Sequence, residues 1–267
     1  MKKLLLAAGA LAISTSAFAA DMPLKAPMAP PPPVYSWTGC YVDGGAGYGM
    51  WNQQHTTNTT FGGVPGATIE QDDGGRGWLG RVGVGCDYQL SGSLSRWVVG
   101  ALGQYDFMNI KGTNSPLELI GVPGGGFFPI SAWEKEKSAW YAGARIGYLL
   151  TPSILTFAEG GWTETRFNSQ TLTTNLGAPI GFGYGATTYN NGWFLGSGFE
   201  TSLTDWLPGL PKGLFLRTDY RFSEYGRKTV NEISQATGVP DGNSESTRPY
   251  VQTVTTELVW KFNFFGN

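Results

Sequence analysis

The residues RGWLGRVGVGCDYQL, Arg76 to Leu90, place Trp78, Val82, Val84, Cys86, Tyr88 and Leu90 on one parity and Arg81, Asp87 and Gln89 on the other. Alternate side chains of a strand share a face, so this stretch has one apolar and one polar side. Trp78 and Tyr88 stand ten residues apart, and the same interval separates Trp97 from Phe107 in RWVVGALGQYDFM. Ten residues of about 3.3 Å, tilted by about 40°, rise roughly 25 Å, the height of the apolar band between the aromatic girdles of a membrane-spanning barrel. A soluble barrel turns its apolar parity inward instead.

The pattern recurs along the chain. Trp37 to Trp51 is glycine-rich, with Cys40, Val42, Ala46 and Tyr48 on one parity. In Trp140 to Leu150, Trp140, Ala142, Ala144, Ile146 and Tyr148 oppose Arg145; after Thr151-Pro152-Ser153 comes ILTFAEGGWTET. Leu195 and Phe199 oppose Glu200, and Leu216, Tyr220 and Phe222 oppose Arg217, Asp219 and Arg221. The chain closes on Leu258, Trp260, Phe262 and Phe264, against Glu257 and Lys261. Long and short connections alternate, which is the arrangement of an all-β, eight-stranded, antiparallel up-and-down transmembrane β-barrel with four long external loops and both termini at the periplasmic end. Ten strands is the alternative count, with a further hairpin in Thr165 to Asn191.

Two leading segments stand apart from the barrel at residues 37–265. Residues 1–19 read as a secretory signal peptide: Lys2 and Lys3, an apolar run from Leu4 to Ile13, and a small-residue site at Ala17 and Ala19. An uncleaved helical anchor needs roughly 20 apolar residues, about twice what this run offers. Residues 20–36, with the run APPPPVY, read as an extended periplasmic tether, the alternative being a ligand for a proline-recognising domain. No later stretch is apolar enough to cross a bilayer as a helix, which leaves the barrel as the route into a membrane. A formal charge of −2 and a pI near 5.5 argue against nucleic acid as a partner.

The run DMPLKAPMAPPPPVYSWTGCYVDGGAGYG, the strands WVVGALGQYDF and FLRTDYRFSEYG, and the ending LVWKF resemble the small outer-membrane β-barrel surface antigens of alphaproteobacteria, the porin-like immunogenic proteins, akin in architecture to the OmpA transmembrane domain. The resemblance covers nearly the whole mature chain. It implies an outer-membrane location, surface-exposed loops and a C-terminal aromatic strand read by the barrel assembly machinery. The chain departs from the family's pattern at Cys40, where an aromatic is common, and in having no peptidoglycan-binding domain after Phe265.

On the inward parity lie Arg81, Asp106, Arg145, Glu200, Arg217, Asp219, Arg221 and Glu257. Eight strands enclose a space that side chains just fill, so these charges must pair, since an isolated buried charge costs several kcal/mol. Glu200 with Arg217, and Arg81, Arg145 and Arg221 with Asp106, Asp219 and Glu257, are the candidate pairs. A paired interior plugs the barrel, whereas a wet one makes a small porin. The outward aromatic set is Trp78, Tyr88, Trp97, Phe107, Trp140, Tyr148, Trp260 and Phe262, facing outer-membrane lipid. Cys40 and Cys86 fall at similar heights on neighbouring strands; they form a disulfide if their Cα atoms lie within about 4.4 to 6.8 Å, or remain two thiols facing lipid.

An enzyme of this architecture needs a base poised near neutral pH. The single histidine, His55, sits in the first long connection beside Gln53 and Gln54 and reads as a solvated loop residue. EQDDGG, with Glu70, Asp72 and Asp73, lacks the ligand spacing of a calcium loop and reads as an acidic loop. No enzyme activity, metal or cofactor is expected. About half the mature chain is assigned to loops, among them SPLELIGVPGGGFFPISAW, available to a surface or host partner or packed over the barrel mouth.

Overall fold

The computed structural model describes residues 36–61, 64–119, 128–174 and 176–262; the signal segment, nearly all of the tether, and Phe264 and Phe265 lie outside them. Almost everything described is strand: β1 (Gly39–Phe61), β2 (Val64–Gln89), β3 (Trp97–Leu119), β4 (Phe128–Thr151), β5 (Ile154–Phe167), β6 (Gln170–Thr174), β7 (Pro179–Tyr184), β8 (Thr187–Ser202), β9 (Leu214–Glu224), β10 (Lys228–Ser234) and β11 (Pro240–Phe262). Antiparallel pairing runs β1-β2-β3-β4-β5-β8-β9-β11, and β11 returns to β1 from Cys40 opposite Phe262 to Asn58 opposite Ser244. The sheet is therefore a closed ring of eight strands. Its near end holds the first and last strand residues and the short connections around Pro152 and Gly92–Leu94.

The hairpin suspected between Thr165 and Asn191 is present, but it adds no ninth and tenth strand to this ring. Towards the far end β6 pairs with β4 and β7, β7 with β10, and β10 with β11. Thus β6, β7 and β10 continue β5, β8 and β9 after breaks of a few residues, and the ring stays eight strands round.

The long connections are also strand for much of their length. β1 and β2 run past Trp51 and Arg76, the expected limits of the first hairpin, and meet across Asn52–Gly74, Gln53–Asp73 and His55–Gln71. A strand of 23 residues, as β1 is, rises roughly 58 Å at about 3.3 Å per residue and 40° tilt, more than twice a roughly 25 Å apolar band. Assigning half the chain to loops is accordingly corrected. A polar, alternating strand continued beyond the band lacks an apolar stripe, yet its backbone still gains by joining the ladder.

Parity sorts the side chains. Outward stand Val42, Trp78, Val84, Tyr88, Trp97, Phe107, Trp140, Ile146, Leu195, Leu258 and Trp260, all exposed, with Tyr148 and Phe262 partly so. Tyr48 meets Trp78 edge to face at 5.3 Å, and Trp97 meets Tyr148 at 5.2 Å. These pairs mark the two edges of the apolar band. Inward glycines make room for the interior: a Cβ on Gly196 would lie 2.9 Å from both Arg221 Cγ and Glu159 Oε1.

Cys40 lies directly opposite Cys86 in the β1–β2 ladder, with Cα atoms 3.9 Å apart, below the window expected from sequence, and the two are bonded. The bond spans 46 residues, a loop for which chain entropy gives at most about 4 kcal/mol of stabilisation. Denatured, unreduced protein should therefore show no thiol reactive to iodoacetamide, and C40S/C86S should lower the urea midpoint of the detergent-folded barrel; two reactive thiols would dismiss the bond.

Candidate functional site in the barrel interior

The interior is built in layers, beginning at the near end with Trp37, Tyr41, Val98, Leu149, Leu155, Phe215 and Val259. Trp37 Nε1 donates to the Pro152 carbonyl oxygen at 3.0 Å, tying the start of the chain to the turn beneath β4 and β5.

Above this floor lies a charged layer. Arg81 grips its cross-strand neighbour Asp106 with both edges of the guanidinium fork, Nε to Oδ1 at 2.7 Å and Nη2 to Oδ2 at 2.8 Å. Its Nη1 crosses the interior to Asp219 Oδ2 at 3.0 Å, Thr255 Oγ1 at 2.8 Å and Glu257 Oε1 at 3.1 Å. Arg145 donates to Asp87 and, from Nη1, to Glu200 Oε2 at 3.1 Å. Arg217 bonds Glu200 Oε2 at 3.0 Å and reaches Asp43 at 3.2 Å and Glu257 at 3.3 Å. Arg221 donates to Glu159 and Gln104 and lies 3.6 Å from Asp219. Lys261 Nζ sits 2.9 Å from both Asp87 and Glu200. Charge-assisted, bidentate bonds are the strong kind, and each guanidinium here serves two or three carboxyl groups.

All eight inward charges read from the sequence meet in this layer. Four partners were left out of that set: Asp43, Asp87, Glu159 and Lys261. Asp43, Asp87 and Lys261 carry the same parity signal; Glu159 is followed by Gly160-Gly161, which interrupts the alternation. Aromatic rings separate the like charges: Tyr41 lies 4.9 Å from the Arg145 and 4.6 Å from the Arg217 guanidinium, and Tyr141 lies 4.8 Å from Arg221.

Next comes an apolar layer that includes Trp51, Ile110, Tyr141, Phe167, Tyr189, Phe194 and Tyr225. Beyond it, towards the far end, His55 is 1 % exposed and inward-facing on β1, which corrects its reading as a solvated loop residue. The cause is the continued ladder, whose parity turns Trp51, Gln53 and His55 into the barrel together. His55 Nδ1 donates to Glu245 Oε1 at 2.6 Å. One end of the Gln53 amide lies 3.2 Å from His55 Nε2 and 2.7 Å from Glu134 Oε2. Its NH2 donates to both when they are unprotonated, and its carbonyl accepts from both when they carry protons. The acidic stretch is likewise strand: Glu70 and Asp72 point outward, and Asp73 inward towards this cluster. Among the described residues no group of side chains is arranged to hold a metal ion.

A closed antiparallel ring with an apolar, aromatic-edged outside and a charged inside is a membrane-spanning β-barrel. The chain belongs to the outer membrane protein beta-barrel domain family, whose model matches residues 4–262. It is 25 % identical to the 31 kDa outer-membrane immunogenic protein of Brucella melitensis over 98 % of this chain and 100 % of that one. It is 26 % identical to the 25 kDa outer-membrane immunogenic protein of Brucella canis, with 85 % of each chain covered. Among solved structures, the outer membrane protein OprG from Pseudomonas aeruginosa aligns with a TM-score of 0.45 at 11 % identity, covering 84 % of this chain and 97 % of that one. The protein is thus an outer-membrane β-barrel.

Removing one member of a buried pair strands the other charge, at a cost of about 3 to 5 kcal/mol. Arg217→Ala and Arg145→Ala should each lower the unfolding free energy of the folded barrel, measured by urea titration, by an amount in that range, whereas Arg96→Ala, at the rim, should cost less than half as much.

Glu134 lies six residues beyond Trp140, outside the apolar band. Burial pushes its carboxyl up to about 8, against the pull of His55. Burial alone would lower the His55 imidazole, but the hydrogen bond and charge of Glu245, with Glu134 and Asp73 behind it, raise it above its ordinary value. Both groups hold protons in the folded state that the unfolded chain releases, so the contribution of Glu134 to stability falls as pH rises from the ordinary carboxylate range through about 8, and that of His55 falls as pH rises above the ordinary imidazole range. Between pH 5 and pH 9 the urea midpoint of Glu134→Gln should fall less than that of the parent; equal slopes would show that Glu134 does not titrate in this window.

Proposed function

We propose that the protein is a structural surface barrel with a closed interior, its near end and both termini in the periplasm and its far end outside the cell. The observation that carries this reading is the stacking inside: a charged layer with paired side chains lies between two apolar layers, the lower around Trp37 and the upper around Trp51. An ion would have to break charge-assisted bonds and also cross two floors lined by apolar and aromatic side chains. The Brucella relatives are named as immunogenic proteins of the outer membrane, which is consistent with a role exercised at the cell surface. Outer-membrane lipid and the barrel assembly machinery are the proposed partners of the apolar band and of the C-terminal stripe. A partner at the far end would meet extended strands, among the described residues. A role outside catalysis is supported by the burial of the chain's single histidine against Glu245.

A narrow porin is the second reading, favoured by the polar atoms of the interior that lack a protein partner, Tyr41 Oη, Tyr141 Oη and Arg221 Nη1, where water would bind. Planar-bilayer recording separates the two. The folded parent should show no steady conductance; steady openings whose ion selectivity changes in Arg145→Ala and Arg217→Ala would transfer the assignment to the porin. Orientation is tested in cells: Asp241→Cys should react with a membrane-impermeant maleimide on intact bacteria, and Ser95→Cys should not.

A further inference from the structure

On the outer wall, Arg76 of β2 stands directly opposite Lys111 of β3, and Lys111 directly opposite Lys135 of β4. Met50 of β1 completes the row beside Arg76. Parity turns all four outward, away from the charged interior. Like charges directly opposite in a ladder destabilise it, so a row of three cations is a cost to the fold. None of the ion pairs among the described residues relieves it. On β2 the first outward carboxylate is Asp72, four residues farther along.

The height of the row is informative. Arg76 is two residues beyond Trp78, whose row, Tyr48–Trp78–Asn109, marks the far edge of the apolar band. Two residues rise roughly 5 Å, which puts Arg76 where hydrocarbon gives way to headgroups. Lys111, four residues beyond Phe107, and Lys135, five beyond Trp140, stand roughly 10 and 13 Å above those aromatics, so the row climbs through the headgroup layer. The wall is also recessed there: a groove of about 690 Å³ runs across the glycines Gly74, Gly75 and Gly112, flanked by Met50 and Trp133. Trp133 is 71 % exposed. The site therefore offers an apolar floor with an amphipathic aromatic beside a line of unneutralised cations.

We propose that this face of β1 to β4 binds the anionic headgroup of a glycolipid in the adjoining leaflet. The cations take its phosphate or carboxylate oxygens, and Trp133 and Met50 pack against its sugar and the upper part of an acyl chain. Cations at the membrane surface attract anionic headgroups, and charge-assisted bonds from Arg and Lys hold their oxygens. The bound anion supplies the neutralisation that the fold lacks. Under the orientation proposed above, the leaflet is the outer one and the ligand is the lipid A type of saccharide lipid. Binding is measured in detergent, where orientation plays no part, so the two readings fail separately.

The test uses native mass spectrometry of the detergent-folded full barrel, titrated with lipid A, with zwitterionic phosphatidylcholine and with inorganic phosphate. The parent should retain lipid A and not phosphatidylcholine. R76Q/K111Q/K135Q should bind lipid A at least tenfold more weakly, while K212Q/R227Q/K228Q, which removes the same charge elsewhere on the exposed surface, should bind as the parent does. Lys111→Gln alone should weaken lipid binding and yet raise the urea midpoint, because it relieves the repulsion in the row; this opposite movement keeps the test informative should the triple variant fold poorly. Equal retention by the row and control triples, loss of both affinity and stability in Lys111→Gln, or displacement of lipid A by low-millimolar phosphate would each overturn the proposal.

Discussion

Closure of β1 onto β11 is the constraint on which the other features rest. In hydrocarbon no water is available to a bare amide or carbonyl, so an open sheet edge would leave a row of backbone groups unsatisfied at several kcal/mol each. The long ladder from Cys40 opposite Phe262 to Asn58 opposite Ser244 removes that edge. Once the ring is closed at eight strands, its interior is only as wide as side chains can span. Strict alternation then sends every second residue into that space. The composition of the inward parity therefore decides what kind of object the barrel is.

Here that parity is rich in arginine and carboxylate, and the arrangement is cooperative rather than pairwise. Arg81 is anchored to Asp106 on the next strand and reaches through the interior to Glu257 on β11 and Asp219 on β9, two and three strands away round the ring, so it braces non-adjacent strands against one another. Glu200 is shared among Arg145, Arg217 and Lys261. Networks of this kind are costly when one member is missing and rigid when complete. The aromatic rings between the guanidinium groups offset part of the repulsion among the cations. Above the apolar layer the chemistry changes: the His55, Gln53, Glu134 and Glu245 cluster carries fewer cations than carboxyls, and its charge depends on protons that the folded chain retains.

The outer wall follows the same parity to a different end. Within the band it is aliphatic and aromatic, and immediately beyond the Trp78 row it becomes a line of cations over a glycine-floored groove. Register makes that line. Arg76, Lys111 and Lys135 are scattered in sequence and become neighbours only because three strands pair at those positions.

Much of this is written in the chain itself. Alternation, the ten-residue aromatic interval and the lack of a helical span determined the β-barrel, its lipid-facing stripe and the inward position of Arg81, Arg145, Arg217 and Arg221, because parity is a local property of a strand. The height of the barrel was not legible: beyond Trp51 the polar residues give no apolar stripe, and only pairing with β2 and β11 holds them extended, which is why His55 proved to be buried. Nor was the choice of partners within the charged layer. Arg81 and Asp219 are 138 residues apart and on non-adjacent strands, and they meet because the shear and closure of the whole ring carry them to the same height across the interior. A residue's face is decided by its immediate neighbours, but what stands opposite it across the barrel is decided by all eight strands at once.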